Sequence, residues 1–223
     1  MNIMTLVNAL PGAAAQGLIW GIMAIGVYLT FRILDVADLT VDGTMCTGGA
    51  VCIMMLMSGH SMFAAMIAAT CAGMLAGLAT GIFHTFMGIP AILAGILTQL
   101  GLYSVNLKIM GKANQAVNGN KYNLLVSLRN VKNVPFYQNT ILIVAIFIVV
   151  LIAILYWFFG TELGCSLRST GCNPNMSRAQ GINTDVCKVL GLMISNGLVA
   201  LSSALLAQYQ GFADINMGRG AIV

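Results

Sequence analysis

The chain has 223 residues, 59% of them hydrophobic and 7% charged, with a formal net charge of +4. A soluble globular domain carries about 25% charged side chains to stay hydrated, so this composition excludes a water-soluble fold and predicts a lipid-embedded, all-α bundle. The Lys and Arg residues are spread over connecting segments rather than gathered on one basic face, which argues against a nucleic-acid partner.

Breaking the apolar runs at turn formers predicts six spans, near 14–31, 44–58, 62–84, 89–107, 139–159 and 187–207, in one transmembrane domain covering 1–223. The first basic side chain, Arg32, follows the first apolar stretch instead of preceding it. That order does not suit a secretory signal, so the stretch reads as a retained helix. In the second span and the third, Cys46, Cys52 and Cys71 read as small hydrophobes. The third span also carries Ala65, Ala69, Gly73, Gly77 and Gly81 at four-residue spacing, and the first has Gly17 and Gly21. Small residues in this pattern let helices approach closely where lipid supplies no hydrophobic drive.

Between the first two spans lie Asp35, Asp38 and Asp42, the only acidic cluster. One reading makes Asp42-Gly43 a turn, Thr44 a helix cap, and Asp35 and Asp38 solvated surface groups. The other places one of the three on a translocation path, because an ionisable group near a bilayer is costly and marks solute or ion contact. The segment 108–138 is a long polar loop holding Lys108, Lys112, Lys121, Arg129 and Lys132 without an acid.

The polar stretch 162–185 has a clear local grammar. Asn173 suits an N-cap, Pro174 a first helical position and Gly181 a left-handed stop, while Asn183 to Asp185 begin the next span. One short helix near 174–180, framed by two chain reversals, follows. Cys165, Cys172 and Cys187 sit in or beside this stretch without a CxxC pair or a neighbouring His, so no zinc site is expected and the thiols read as reduced.

These residues carry a resemblance. Glu162-Leu-Gly164, Leu167-Arg168-Ser-Thr-Gly171, Asn173-Pro174, Arg178-Ala179 and Gly181-Ile-Asn183 resemble the BPD_transp_2-type permeases of ABC importers for branched-chain amino acids, simple sugars and related solutes. Leu34 to Gly43 is similar to the branch paired with one ATPase and an ABC_sub_bind-type lipoprotein, often tied to aromatic amino acids. The resemblance implies that 162–185 is a coupling loop for a cytoplasmic ABC ATPase, with Glu162, Gly164, Arg168, Gly171, Asn173, Pro174, Arg178 and Gly181 as coupling residues. It further implies an extracytoplasmic solute-binding protein, a second permease copy in a homodimer, and a bacterial cytoplasmic-membrane location with 108–138 extracytoplasmic. Family members continue with further spans, so this chain is expected to be truncated at its C-terminal end.

The expected function is the permease subunit of an ATP-driven importer of a small solute, with amino acids the favoured class. There is no GxxxxGK[ST] phosphate loop, so ATP hydrolysis belongs to a partner, and no cofactor is implied. The alternative is a secondary transporter or channel, which calls for internal repeats or broken helices with midplane charges. No internal repeat is evident in the sequence.

Overall fold

A computed structural model describes residues 3–117, 126 and 140–220. The chain is a polytopic helical bundle. Its helices are α1 (Ile3–Tyr28), α2 (Val41–Met57), α3 (Met62–Thr85), α4 (Ala91–Met110), α5 (Thr140–Gly160), α6 (Glu162–Cys172), α7 (Pro174–Ala179) and α8 (Thr184–Gln210). A wider π turn, Leu29–Ile33, extends α1. Counting α1 with that turn, five helices among the described residues are long and apolar enough to cross a bilayer, and α2 is a shorter apolar helix. Most of the basic 108–138 loop, with Lys121, Arg129 and Lys132, lies outside the described residues.

The connections follow from local chemistry. The Ser58-Gly59-His60-Ser61 break ends with Ser61 Oγ accepting from the Ala64 N–H at the start of α3. Pro90 caps α4, and the strand Asn114–Ala116 (β1) pairs antiparallel with Phe212–Asp214 (β2), tying the segment after α4 to the end of α8.

Helix α8 is the axis of the bundle: 72% of its most apolar window is buried, against 11% in α5, which faces outward. The small-residue ladder of α3 packs on it antiparallel. A Cβ on Gly73 would meet Ala200 and Asn196, one on Gly77 would meet Leu192, and one on Gly81 would meet Val189. Ala65 and Ala69 are buried in a cluster with Ala204. The backbones therefore touch along the full length of the pair, which is how dispersion holds helices together in lipid.

Helix α1 packs on α8 by different means. Tyr209 Oη donates to the Gly12 carbonyl (3.0 Å), Ser202 Oγ to Ile19 (2.8 Å) and Ser195 Oγ to Gly26 (2.7 Å). This hydroxyl zipper recurs every seven residues on both helices. A Cβ added at Gly17 or Gly21 would meet nothing within 4 Å, so these two take no part in close packing, contrary to their sequence pattern.

Candidate functional site

The segment 162–185 is two helices and not a loop with one. Thr161 caps α6, and the chain then turns at Asn173, whose Oδ1 accepts from the Met176 N–H (3.1 Å) with Pro174 at the first position of α7. Gly181 holds φ 85°, the left-handed conformation open to glycine, and Asn183 Oδ1 receives the N–H groups of Asp185 and Val186 to start α8. These positions lie where the sequence puts them. Helix α6 was unforeseen, because the stretch 162–172 reads as part of a polar loop in the sequence.

Both glycines are contact points. A Cβ on Gly164 would collide with the Phe158 carbonyl at the end of α5, and one on Gly171 with the Ile33 carbonyl of the π turn. The two arginines are exposed, yet both are held by neighbouring groups. Arg168 donates to the Phe159 carbonyl (2.6 Å) and lies over the Phe159 ring, 5.5 Å from its centre. Arg178 donates to Thr184 Oγ1 (2.7 Å) and pairs with Asp185 (3.1 Å). Exposed Glu162 opens α6. The α6–α7 pair is thus fastened to the end of α5, the end of α1 and the start of α8.

The three aspartates separate. Asp35 is exposed, at φ 53°, in a shallow groove with Arg32 and Arg168. Asp38 is fully buried, which overturns the solvated-surface reading for that residue. Thr44 is not a cap but lies inside α2, and Asp42-Gly43 form its first turn and not a separate one. The physical reason is the path of residues 34–40. They run back into the bundle along α8, from Leu34 against Gly191 to Asp38 beside Asn196. Helix α2 consequently starts inside the bundle, and its 17 residues rise only about 25 Å. Non-helical backbone at this depth is tolerated because it is buried in protein.

Around Asp38 the polar groups form one connected network. Its Oδ1 accepts from the Thr40 N–H (2.9 Å) and its Oδ2 from Asn196 Nδ2 (2.6 Å). Asn196 Oδ1 accepts from Thr44 Oγ1 (2.7 Å), while the Thr40 hydroxyl shares a hydrogen bond with Thr80, which donates to Thr98. All six side chains are buried. The sequence offered one overlooked signal, an Asn in the middle of a charge-free span.

A second returning segment follows α8. Residues 212–218 pack back along α2 toward its first turn, where a Cβ on Gly218 would collide with the Asp42 carbonyl. Here Asp214 Oδ1 accepts from the Asn216 N–H (2.7 Å) and its Oδ2 from Asn114 Nδ2 (3.3 Å). That pattern repeats the one at Asp38: Oδ1 bound by the amide two residues on, Oδ2 by an asparagine. The sequences match, Ala37-Asp-Leu-Thr-Val41 against Ala213-Asp-Ile-Asn-Met217. The segments follow antiparallel helices, α1 and α8, and enter from opposite ends. The two segments thus share a short local pattern while entering the bundle from opposite ends. Beside the meeting point, a cavity of about 220 Å³ opens between α2, α4 and the second segment.

Among the described residues Cys46, Cys52 and Cys187 are buried and Cys71, Cys165 and Cys172 exposed, all as free thiols. No group of three or more His, Cys, Asp or Glu side chains converges there.

Comparison with known proteins agrees with this architecture. Residues 10–223 match the model of the family described as branched-chain amino acid transport system / permease component. The chain is 41% identical to the tyrosine transport system permease protein of Clostridioides difficile, over 93% of this chain and 67% of that one. It is 38% identical to an uncharacterized protein of Rickettsia prowazekii, over 96% of this chain and 72% of the other. It is also 27% identical to the autoinducer 2 import system permease protein of Escherichia coli, over 93% of this chain and 58% of that protein. No solved structure matches. The chain belongs to the branched-chain amino acid transport permease family and is a multi-pass protein of the bacterial cytoplasmic membrane.

Proposed function

We propose that this family member is the membrane-spanning subunit of an ATP-driven importer and that α6–α7 is the surface on which a cytoplasmic ABC ATPase acts. The observation that carries the reading is the fastening of α6–α7 to three spanning helices at once, through Gly164, Arg168, Gly171 and Arg178. A push on a flexible loop dissipates, whereas a push on this rigid pair must move the ends of α1, α5 and α8. With α6–α7 cytoplasmic, the N-terminus and the β1–β2 pair are extracytoplasmic, where a solute-binding protein delivers its cargo. A second copy of the chain completes the pathway. The name of the 41% identical relative supports an amino acid as the solute.

The test is reconstitution with the ATPase and binding protein of its own system. The reading requires that the ATPase co-purify with this subunit and that the solute-loaded binding protein stimulate ATP hydrolysis and uptake together. Uptake that proceeds without ATP and follows an ion gradient instead would replace the proposal with a secondary transporter. That rival has its own support in the non-helical backbone of residues 34–40 inside the bundle, a feature common in secondary transporters.

A further inference from the structure

Tyr28, Phe31, Arg32, Asp35, Arg168 and Cys172 line the shallow groove where α6 packs on the π turn. At about 510 Å³ it falls within the roughly 300–1,000 Å³ of small-ligand sites. The groove stands where lipid gives way to water. Tyr28 and Phe31 on its α1 wall are exposed, and so are Tyr156 and Trp157 near the corresponding end of α5. Tyr and Trp concentrate at headgroup depth because their rings are amphipathic. Beside them stand three exposed charges, Arg32, Asp35 and Arg168. Arg168 is held in place by the Phe159 carbonyl and ring, which leaves most of its five N–H groups for a ligand. Among the described residues the Arg32 and Asp35 side chains make no hydrogen bond or ion pair. Exposed charges are stable in water without a partner. What is specific here is the combination: two guanidinium groups and one carboxylate on the polar rim of a groove whose other rim is aromatic and faces lipid.

We propose that this groove seats the headgroup of a phosphatidylethanolamine from the bilayer, with the phosphate between Arg32 and Arg168, the ammonium at Asp35 and the acyl chains along Tyr28 and Phe31. Planar guanidinium forks match phosphate oxygens, and basic pockets between spanning helices at the membrane surface take lipid headgroups. The carboxylate selects among lipids. A phosphatidylglycerol phosphate would lie near Asp35 with no cation to offset it, whereas the ethanolamine ammonium supplies one. A free solute or a soluble partner would gain nothing from the lipid-facing aromatic rim. A lipid seated here bridges the π turn and α6 beside their contact at Gly171. Binding requires only that the chain lie in a membrane, so it stands or falls apart from ATPase coupling.

The experiment titrates the detergent-purified protein with dioleoyl phosphatidylethanolamine or dioleoyl phosphatidylglycerol and reads bound lipid by native mass spectrometry. Wild type, Arg32→Gln and Asp35→Asn are compared, with the thermal midpoint of each as a check on folding. Asp35 holds φ 53°, and Asn accepts that left-handed conformation as readily, so the variant loses the charge and keeps the backbone. Wild type is expected to bind phosphatidylethanolamine about fivefold more tightly than phosphatidylglycerol, the upper scale of one exposed ion pair. Arg32→Gln should weaken both lipids by about the same factor, and Asp35→Asn should abolish the preference between them. Equal binding of the two lipids by wild type overturns the proposal and needs no variant to do so. Unchanged binding in Arg32→Gln, or a preference that survives Asp35→Asn, also overturns it. If Arg32→Gln leaves lipid binding intact but loses a co-purifying ATPase, the groove belongs to that protein and not to lipid.

Discussion

Replacing Gly171 with Ala tests the mechanical line from α6 to the buried carboxylate. A methyl there would overlap the Ile33 carbonyl and stand 3.1 Å from the Leu34 Cα, and no rotamer change moves either atom. Carbon atoms in contact settle at about 3.5–4.0 Å, so α6 must withdraw from the π turn by more than about 1 Å. Overpacking of this kind costs about 1–3 kcal/mol, and even the lower figure shifts an equilibrium about fivefold. The π turn leads directly into residues 34–40, so the loss should fall on transmission. In proteoliposomes with ATPase and loaded binding protein, uptake by Gly171→Ala is expected to drop at least about fivefold while the ATPase stays bound. Gly160→Ala is the control, because it adds the same methyl where nothing lies within 4 Å. Uptake by Gly171→Ala within about twofold of wild type, with normally stimulated ATP hydrolysis, would refute the reasoning.

Three further outcomes are expected. An impermeant maleimide applied to intact cells should miss the exposed Cys165 and Cys172 and label both in inverted vesicles; labelling of both in intact cells reverses the proposed orientation. Gly77→Leu should abolish assembly, since its side chain would enter the backbone of α8 at Leu192, whereas Gly17→Leu, with open space around it, should express normally. Asn196→Ala leaves Asp38 Oδ2 and the Thr44 hydroxyl without their shared partner. A lowering of stability by about 2–4 kcal/mol, read as an earlier thermal unfolding in detergent, is expected; an unchanged midpoint would mean that the network is not closed through Asn196.

Much of the fold was legible because lipid imposes a simple grammar. Long charge-free runs located the spans, and the α3 ladder located its packing face. Asn173, Pro174 and Gly181 located α7 because caps and left-handed stops are decided within a few residues. What escaped was set by distant contacts. The Gly17 and Gly21 pattern looked like the α3 ladder, but hydroxyls on α8 had already fixed the spacing of α1. Asp38 looked solvated because its surroundings in sequence are polar, and only the return of residues 34–40 along α8 buries it. The pairing of Arg178 with Thr184 and Asp185 was also not foreseen, although its side chain stays exposed.

The two returning segments explain why Asp38 reads as solvated in the sequence. Each aspartate turns the chain back into the bundle by binding the amide two residues on, which satisfies backbone that a helix would otherwise have to satisfy. The sequence signs of such a turn, a short polar residue beside Ala and an aliphatic, are the same as those of an exposed loop. Two such turns from opposite ends put the first turn of α2 and the Gly218 backbone against each other at the centre. There the backbone is held by side-chain hydrogen bonds rather than by a continuous helix, so it can be displaced without unwinding a span. One turn is bound through Leu34 to the α6 contact at Gly171, and the other through β2 to the strand that follows α4. A displacement begun at either end of the bundle therefore reaches Asp42, the charge that borders the central cavity.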